Sequence, residues 1–292
     1  MTVEIADAAR VIVDKALVAV GNIATLPEVT IKIIQIVEDP KSTARDLHGV
    51  IKNDPALSVK VLKVVNSAFY GLPGQIASVD RAIILLGLSA VKNIAIAASI
   101  ARLFKGKRIS EQFSAADLWR HSVAVAVGAR SLAKLTPHPA MTDEIFVAGL
   151  IHDIGMLVER QTFPDEFAGI ISRCTETEDD FLECERQAIG ADHQAFGVGL
   201  TTKWKFPRHL RAAVGFHHNP ETLSIELRNI ATLIHAADIM CCREEIGFYL
   251  TARHQTITEE MLDTLGITSE QMEDLRVSLP EQVAEAEAAL TG

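Results

Sequence analysis

Asp54-Pro-Ala-Leu-Ser-Val-Lys-Val-Leu-Lys-Val-Val-Asn-Ser-Ala68 reads as one amphipathic helix with its own start signal. Asp is a preferred N-cap because its side chain can accept from a free backbone N–H one turn on. Pro55 suits the first helical position, where a missing N–H costs nothing. Leu57, Val61, Val64, Val65 and Ala68 then fall on one face at the 3.6-residue period. The following Asn66-Ser-Ala-Phe-Tyr-Gly-Leu-Pro-Gly74 is rich in turn formers and ends the helix.

The same period recurs along the chain, and strand alternation is hard to find. Ser42 and Ser78 are candidate caps for helices at Thr43–Lys52 and Val79–Leu86. Ile83 to Phe104 is the most membrane-like run. Lys92 and Asn93 interrupt it and Arg81 and Arg102 border it, so it reads as a buried core helix. A long apolar helix is expected from Ser114 to Leu135, stopped by Pro137 and Pro139, and another from about Asp143 to Glu159. Further helices are expected near 163–173, 180–204, 207–217, 223–244 and 258–290. The fold class is all-α.

Composition narrows the function. The chain has 292 residues, 48% of them hydrophobic, enough to bury a sizeable core. Its 28 Lys and Arg stand against 38 Asp and Glu, a net charge of −10, and no basic run occurs. Nucleic-acid binding needs clustered cations, so no direct nucleic-acid partner is expected. Cys174, Cys184, Cys241 and Cys242 lack CxxC spacing and suit a reducing compartment. The acidic start MTVEIADAAR is no signal peptide. A cytoplasmic chain without a membrane partner is expected.

The compositional seam lies near Lys105-Gly-Lys-Arg-Ile109. Before it the only histidine is His48; all the others follow. The expected division is therefore an N-terminal helical lobe at 1–105 and a histidine-rich lobe at 106–292. The second lobe offers His121, His152-Asp153, His193, His217-His218 and Asp238, each from a different expected helix. Imidazole and carboxylate are ligands for Zn, Fe, Mn or Ni, and facing helices of a bundle can bring them to one core site. Their flanks are apolar, as in Val147-Ala-Gly-Leu-Ile151 and Ala212-Ala-Val-Gly-Phe216. The bland alternative is hydrogen-bonded core histidines, since neighbours such as His152 and Asp153 diverge by about 100° on a helix. His48, His138, His209 and His254 lie among polar or proline neighbours and read as solvent-facing, and His235 reads as packing beside Asp238.

The ordered set of a His, a His-Asp pair and a later Asp resembles the HD superfamily of metal-dependent phosphohydrolases. Within it the chain most resembles the HDOD domains, relatives of the HD-GYP cyclic-di-GMP phosphodiesterases. The resemblance covers about residues 20–245. It rests on Leu26-Pro27, Asp39-Pro40, Asp54-Pro55-Ala-Leu57, Asn66 to Gly71, Ala82-Ile83 and Leu86-Gly87. In the second lobe it rests on Glu185, Gly190, His193, Gly197, Trp204, Pro207 and His217-His218. The resemblance implies an HDOD-type fold, with the N-terminal lobe packed on an HD-like helical bundle. It also implies a bacterial signal-transduction or regulatory module acting through contacts with signalling proteins. His121, His152, Asp153 and Asp238 match the ligand positions of one divalent ion. His193, His217 and His218 match those of a second, with Asp153 as the bridge. One or two ions of Fe, Mn, Zn or Ni are therefore expected.

Two departures lean away from catalysis. Where HD-GYP proteins carry a Lys after His-Asp-Ile-Gly, this chain has Met156. Where they continue from the paired histidines into a glycine-rich stretch ending Gly-Tyr-Pro, it has Asn219-Pro220-Glu221. The alternative reading is a metal-dependent phosphohydrolase acting on a small phosphate ester or nucleotide.

Overall fold

Side-chain caps start many of the helices. Asp54 accepts from Leu57 N–H at 2.9 Å, and Ser78 and Ser114 accept from Arg81 and Asp117. A computed structural model of the chain describes residues 7–21, 26–39, 41–104, 113–137 and 142–291. The seam at 105–109 and His138 lie outside these. Among the described residues the regular structure is helical, and no described helix is long and apolar enough to cross a membrane.

The chain divides into two units: residues 1–25 with 104–279, and residues 26–103 with 280–292. The change at 103/104 adjoins the expected seam, but both termini group differently from a single cut at 105. Helix α1 (Asp7–Ala19) groups with the larger unit because Val13, Ala16 and Leu17 are buried and Lys203 Nζ donates to Leu17 O at 3.2 Å.

The smaller unit holds α2 (Glu28–Glu38), α3 (Ala44–Lys52), α4 (Pro55–Val65), a 3-10 turn at Ala68–Tyr70, α5 (Val79–Leu86) and α6 (Leu88–Ile100). Every residue of α6 from Ala90 to Ile100 is buried, which makes it the axis around which α2–α5 pack. The expected core helix at 83–104 is divided by Gly87, whose φ of 89° L side chains rarely adopt. Buried Lys92 donates to Ile36 O at 3.1 Å and to Ser42 Oγ at 3.4 Å. Ser42 itself donates to Ile36 O and is no cap. Thr43 caps α3 instead, in a reciprocal capping box with Asp46. Asn66 closes the loop after α4: its amide donates to Ile76 O and its carbonyl accepts from Ile76 N.

The larger unit is built on α7 (Ala115–Leu135), which packs on α8 (Thr142–Ile151). Then follow α9 (Gly155–Thr162), α10 (Pro164–Glu176), α11 (Phe181–Ala188), α12 (His193–Lys203), α13 (Arg208–Phe216), α14 (Ile225–Arg243) and α15 (Glu259–Leu265). Helix α16 (Ser269–Thr291) contains Pro280, where the division between the units falls. Three expected helices are each two. The span 180–204 breaks at Gly190 (φ 89°), and 258–290 breaks at Gly266, a left-handed C-cap. The span 143–159 breaks at His152-Asp153-Ile154, which form a turn between α8 and α9.

Small residues let the helices approach closely. A Cβ on Gly149 would lie 2.5 Å from Ala126 Cα, so α8 crosses α7 backbone to backbone. A Cβ on Gly155 would lie 1.9 Å from His193 O and 2.7 Å from Gly197 N, where α9 meets α12. Neither backbone atom can yield as a side-chain tip would. We expect Gly155→Ala to cost at least about 1–3 kcal/mol, the usual cost of overpacking, read as a lower urea midpoint. Gly169→Ala on the exposed face of α10, with nothing within 4 Å of the new methyl, should instead gain up to about 1 kcal/mol from helix propensity.

Candidate metal centre

The larger unit brings all seven predicted side chains together. His121 comes from α7 and Asp238 from α14. His152 and Asp153 come from the α8–α9 turn, His193 from the first position of α12, and His217 and His218 from the residues just after α13. Because the chain turns at His152–Ile154, the two adjacent side chains escape the divergence that a continuous helix would impose. Six of the seven are fully buried, and His218 is 8% exposed.

Asp153 sits at the middle. Its Oδ2 lies 3.3 Å from His152 Nε2 and 3.8 Å from His121 Nε2. Its Oδ1 lies 3.3 Å from His193 Nε2 and 3.4 Å from His217 Nε2. Each oxygen therefore faces its own pair of imidazoles. Asp238 closes the first half, with Oδ1 3.1 Å from His121 Nε2 and 4.0 Å from His152 Nε2. His218 Nδ1 stands 3.9 Å from Asp238 Oδ2.

The outer ring nitrogens settle which atoms face inward. His152 Nδ1 donates to Gly149 O at 2.8 Å, and His217 Nδ1 to Val214 O at 2.9 Å. His193 Nδ1 lies 2.9 Å from both Glu185 oxygens, and Glu185 also accepts the His193 backbone N–H. A carbonyl can only accept, so Nδ1 of His152 and of His217 carries the proton, and each of these rings when neutral turns a lone pair at Nε2 toward the centre. His193 Nε2 and His217 Nε2 face each other at 3.4 Å. Both Asp153 oxygens, Asp238 Oδ2, His152 Nε2 and both nitrogens of His121 and His218 are buried without a hydrogen-bond partner. Buried polar atoms are rarely left so. The donor set fits a cation, and Asp153, His193, His217 and His218 offer ligand atoms within 4.8 Å of one another, as do His121, His152 and Asp153. The cluster could hold a metal ion.

Electrostatics follow from this packing. Burial opposes charge on Asp153, but His152, His217 and His193 outweigh it and hold the carboxyl well below its usual range. Asp238 is likewise lowered against burial, chiefly by His121. Burial opposes a charge on His152 too, yet Asp153 and Asp238 raise its pKa. Burial pushes His217 down, and burial with His217 pushes His218 well down. His235, one turn before Asp238, is pushed down to about 4 by burial. Behind His193, burial raises both Glu185 and its neighbour Glu159.

Sequence reasoning missed Glu185 as the partner that orients His193, although the residue carried part of the resemblance. It also missed Cys242, whose Sγ donates to Asp238 Oδ1 at 3.3 Å. Only the i, i+4 spacing from Asp238 signals it. Among the histidines expected to face solvent, His254 is exposed. His48 and His209 are instead half-buried beside Asp80 and Glu144, at 3.1 and 3.3 Å. Carboxylates from neighbouring helices cover them, which a local reading of flanking residues does not register.

Known proteins bear on this arrangement. The HDOD domain family matches residues 23–220, more than half of the chain, with Asp238 beyond the match. An uncharacterized protein of Treponema pallidum (strain Nichols) is 25% identical over 206 residues, 68% of this chain and 38% of that protein. The chain thus spans well under half the length of that curated relative. An HDOD domain protein of Geobacter sulfurreducens superposes with a TM-score of 0.78 at 23% identity, covering 91% of this chain and 92% of that one. A candidate phosphohydrolase of Shewanella amazonensis SB2B gives 0.72 at 24% identity, covering 94% and 98%. These likenesses establish a shared helical fold, and with the family match over residues 23–220 the chain belongs to the HDOD domain family.

Proposed function

We propose that this chain is a regulatory HDOD module of a bacterial signalling pathway. In this reading it acts in the cytoplasm through contacts with signalling proteins, and its larger unit is organised around one or two divalent ions. The observation that carries the metal reading is Asp153, fully buried, with each carboxylate oxygen turned to a separate pair of imidazole nitrogens. His121, His152, Asp153 and Asp238 would hold one ion, and His193, His217 and His218 a second through Asp153. Such an ion, when bound, supplies positive charge that joins side chains from five helical segments and acts as a Lewis acid toward any oxygen ligand. The chain's own residues do the positioning. Gly149 O and Val214 O fix two tautomers and ring planes, and Glu185 orients the His193 ring, as partners behind ligand histidines generally do.

Regulation is favoured over hydrolysis by what surrounds the cluster. A fully buried Met156 stands where the resembling phosphodiesterases carry a lysine. That position therefore offers no cation to a phosphate. A second reading is a metal-dependent phosphohydrolase on a small phosphate ester or nucleotide, favoured by the two imidazole pairs that share Asp153. A screen of phosphate esters and cyclic dinucleotides with added Mn²⁺ or Fe²⁺ separates the two. The regulatory reading expects no turnover above the Asp153→Ala background. Turnover that Asp153→Ala abolishes would establish the second reading.

Protein purified without chelator should contain stoichiometric transition metal by elemental analysis. Asp153→Ala should lose it, and His254→Ala should keep it. Because an ion that binds only the folded state stabilises it by RT ln(1 + [L]/Kd), saturating metal at a hundred times Kd should add about 2.7 kcal/mol to unfolding, and chelator should remove it. Protein that holds no metal and takes none up on reconstitution overturns the reading.

In the chelator-treated protein, three buried histidines should each withdraw stability on acidification. His217, His218 and His235 have lowered pKa values when folded, so below about pH 6.5 the unfolded chain binds their protons first. Their contribution is complete above that pH and drains as pH falls; for His235 it drains toward about 4. His152, Glu185 and Glu159, raised when folded, act in the opposite sense, so the test reads His235 by itself. The slope owed to His235 alone is about 1.4 kcal/mol per pH unit, and His235→Asn should flatten the curve of urea midpoint against pH between 4.5 and 6.5.

A further inference from the structure

Cys242 is a buried thiol outside the family's ligand pattern. It follows Asp238 by one turn of α14, so the two side chains share a helix face. Its Sγ is 3.3 Å from Asp238 Oδ1, the same oxygen that stands 3.1 Å from His121 Nε2. His121, Asp238 and Cys242 offer three ligand atoms within 4.8 Å of one another. An independent sign of a ligand comes from His121, which is fully buried with neither ring nitrogen hydrogen-bonded. The thiol's other polar neighbours are Thr251 Oγ1 at 3.6 Å and the backbone of Ala252.

We propose that Cys242 is a sulfur ligand of the ion held by His121 and Asp238, so that this half of the site takes a thiophilic divalent ion such as Zn²⁺. The proposal rests on the metal reading above. Imidazole nitrogen, carboxylate oxygen and thiolate sulfur form a mixed set that Zn²⁺ accepts, and thiolate selects against Mg²⁺, Ca²⁺ and Mn²⁺. The half of the site made by His193, His217 and Asp153 carries only nitrogen and oxygen. The two halves therefore differ in softness and should fill in a fixed order with different ions. On ligation the S–H bond breaks, a sulfur–metal bond forms and the proton leaves to solvent, with no change of oxidation state. The competing role for the thiol is to donate to Asp238 and hold that carboxylate in place without touching the ion.

Titration of chelator-treated protein with Co²⁺ separates these roles, because ligand-field bands report occupancy and a sulfur-to-cobalt charge-transfer band reports thiolate. The charge-transfer band should appear in the wild-type chain and be lost in Cys242→Ser. It should persist in Cys241→Ser, whose side chain points about 100° away around the helix. The chain with Cys174, Cys184 and Cys241 all changed to serine should keep the band, and it carries the test if Cys242→Ser does not fold. X-ray absorption of the Zn²⁺-loaded wild type should show sulfur at about 2.3 Å. Ligand-field bands without charge transfer, or a band that survives Cys242→Ser, overturn the proposal and leave the metal reading intact. No Co²⁺ uptake at all overturns both.

Discussion

A carboxylate fully removed from water and ringed by imidazoles from four segments sets the terms for the larger unit. An ionised group in such a place costs several kcal/mol unless opposite charge or hydrogen bonds compensate it. Asp153 has no hydrogen-bond partner, so its compensation must come from the imidazoles or from what they would jointly hold. The rings, for their part, are tied back by Gly149 O, Val214 O and Glu185. Their inward nitrogens thus belong to the architecture of the helices and not to chance rotamers.

Close backbone contact makes that arrangement available. Gly149 brings α8 onto α7, and Gly155 brings α9 onto α12, so the turn between α8 and α9 is pinned at both ends. Gly247, with φ of 74°, sits where a Cβ would meet Asp117 O and His121 N, so the chain leaving α14 returns to the turn of α7 that carries His121. Phe248 N–H donates to Asp117 O at 3.1 Å and locks the return. The aromatic group of Phe113, Phe167, Phe181 and Phe248 fills the space beside it, and Phe181 reaches His193 at a ring separation of 6.4 Å. Glycines set the spacing and phenylalanines fill it.

Much of this was legible in the sequence for local reasons. Asp54-Pro55 and Ser78 carry start signals that act within one turn, and the structure uses both. The seven candidate residues were legible because their order matches the pattern of the family that the chain resembles, and their flanks are apolar. The break at His152–Ile154 was not, since apolar residues continue on both sides and the turn is stabilised by contacts with α12 that no local pattern encodes. Thr43 displaced Ser42 as a cap because Ser42 is drawn to Ile36 O. The grouping of α1 with the larger unit, and of residues beyond Pro280 with the smaller, depends on distant packing partners. The role of Cys242 escaped notice because a buried cysteine on an apolar helix looks like any small core residue.

The order of the contributing side chains along the chain has a kinetic consequence. They begin at His121 in α7 and end at Asp238 in α14, with contributions between them from the α8–α9 turn, α12 and the end of α13. Bringing such remote positions together closes long loops, which is slow compared with forming any single helix. During synthesis the first half, of His121, His152 and Asp153, lacks its second carboxylate until α14 has emerged and docked. The cluster therefore matures only once α14 is in place, and its integrity marks chains that have folded through that helix. Any surface that depends on it is withheld until then, a form of timing built into the linear arrangement of the sequence.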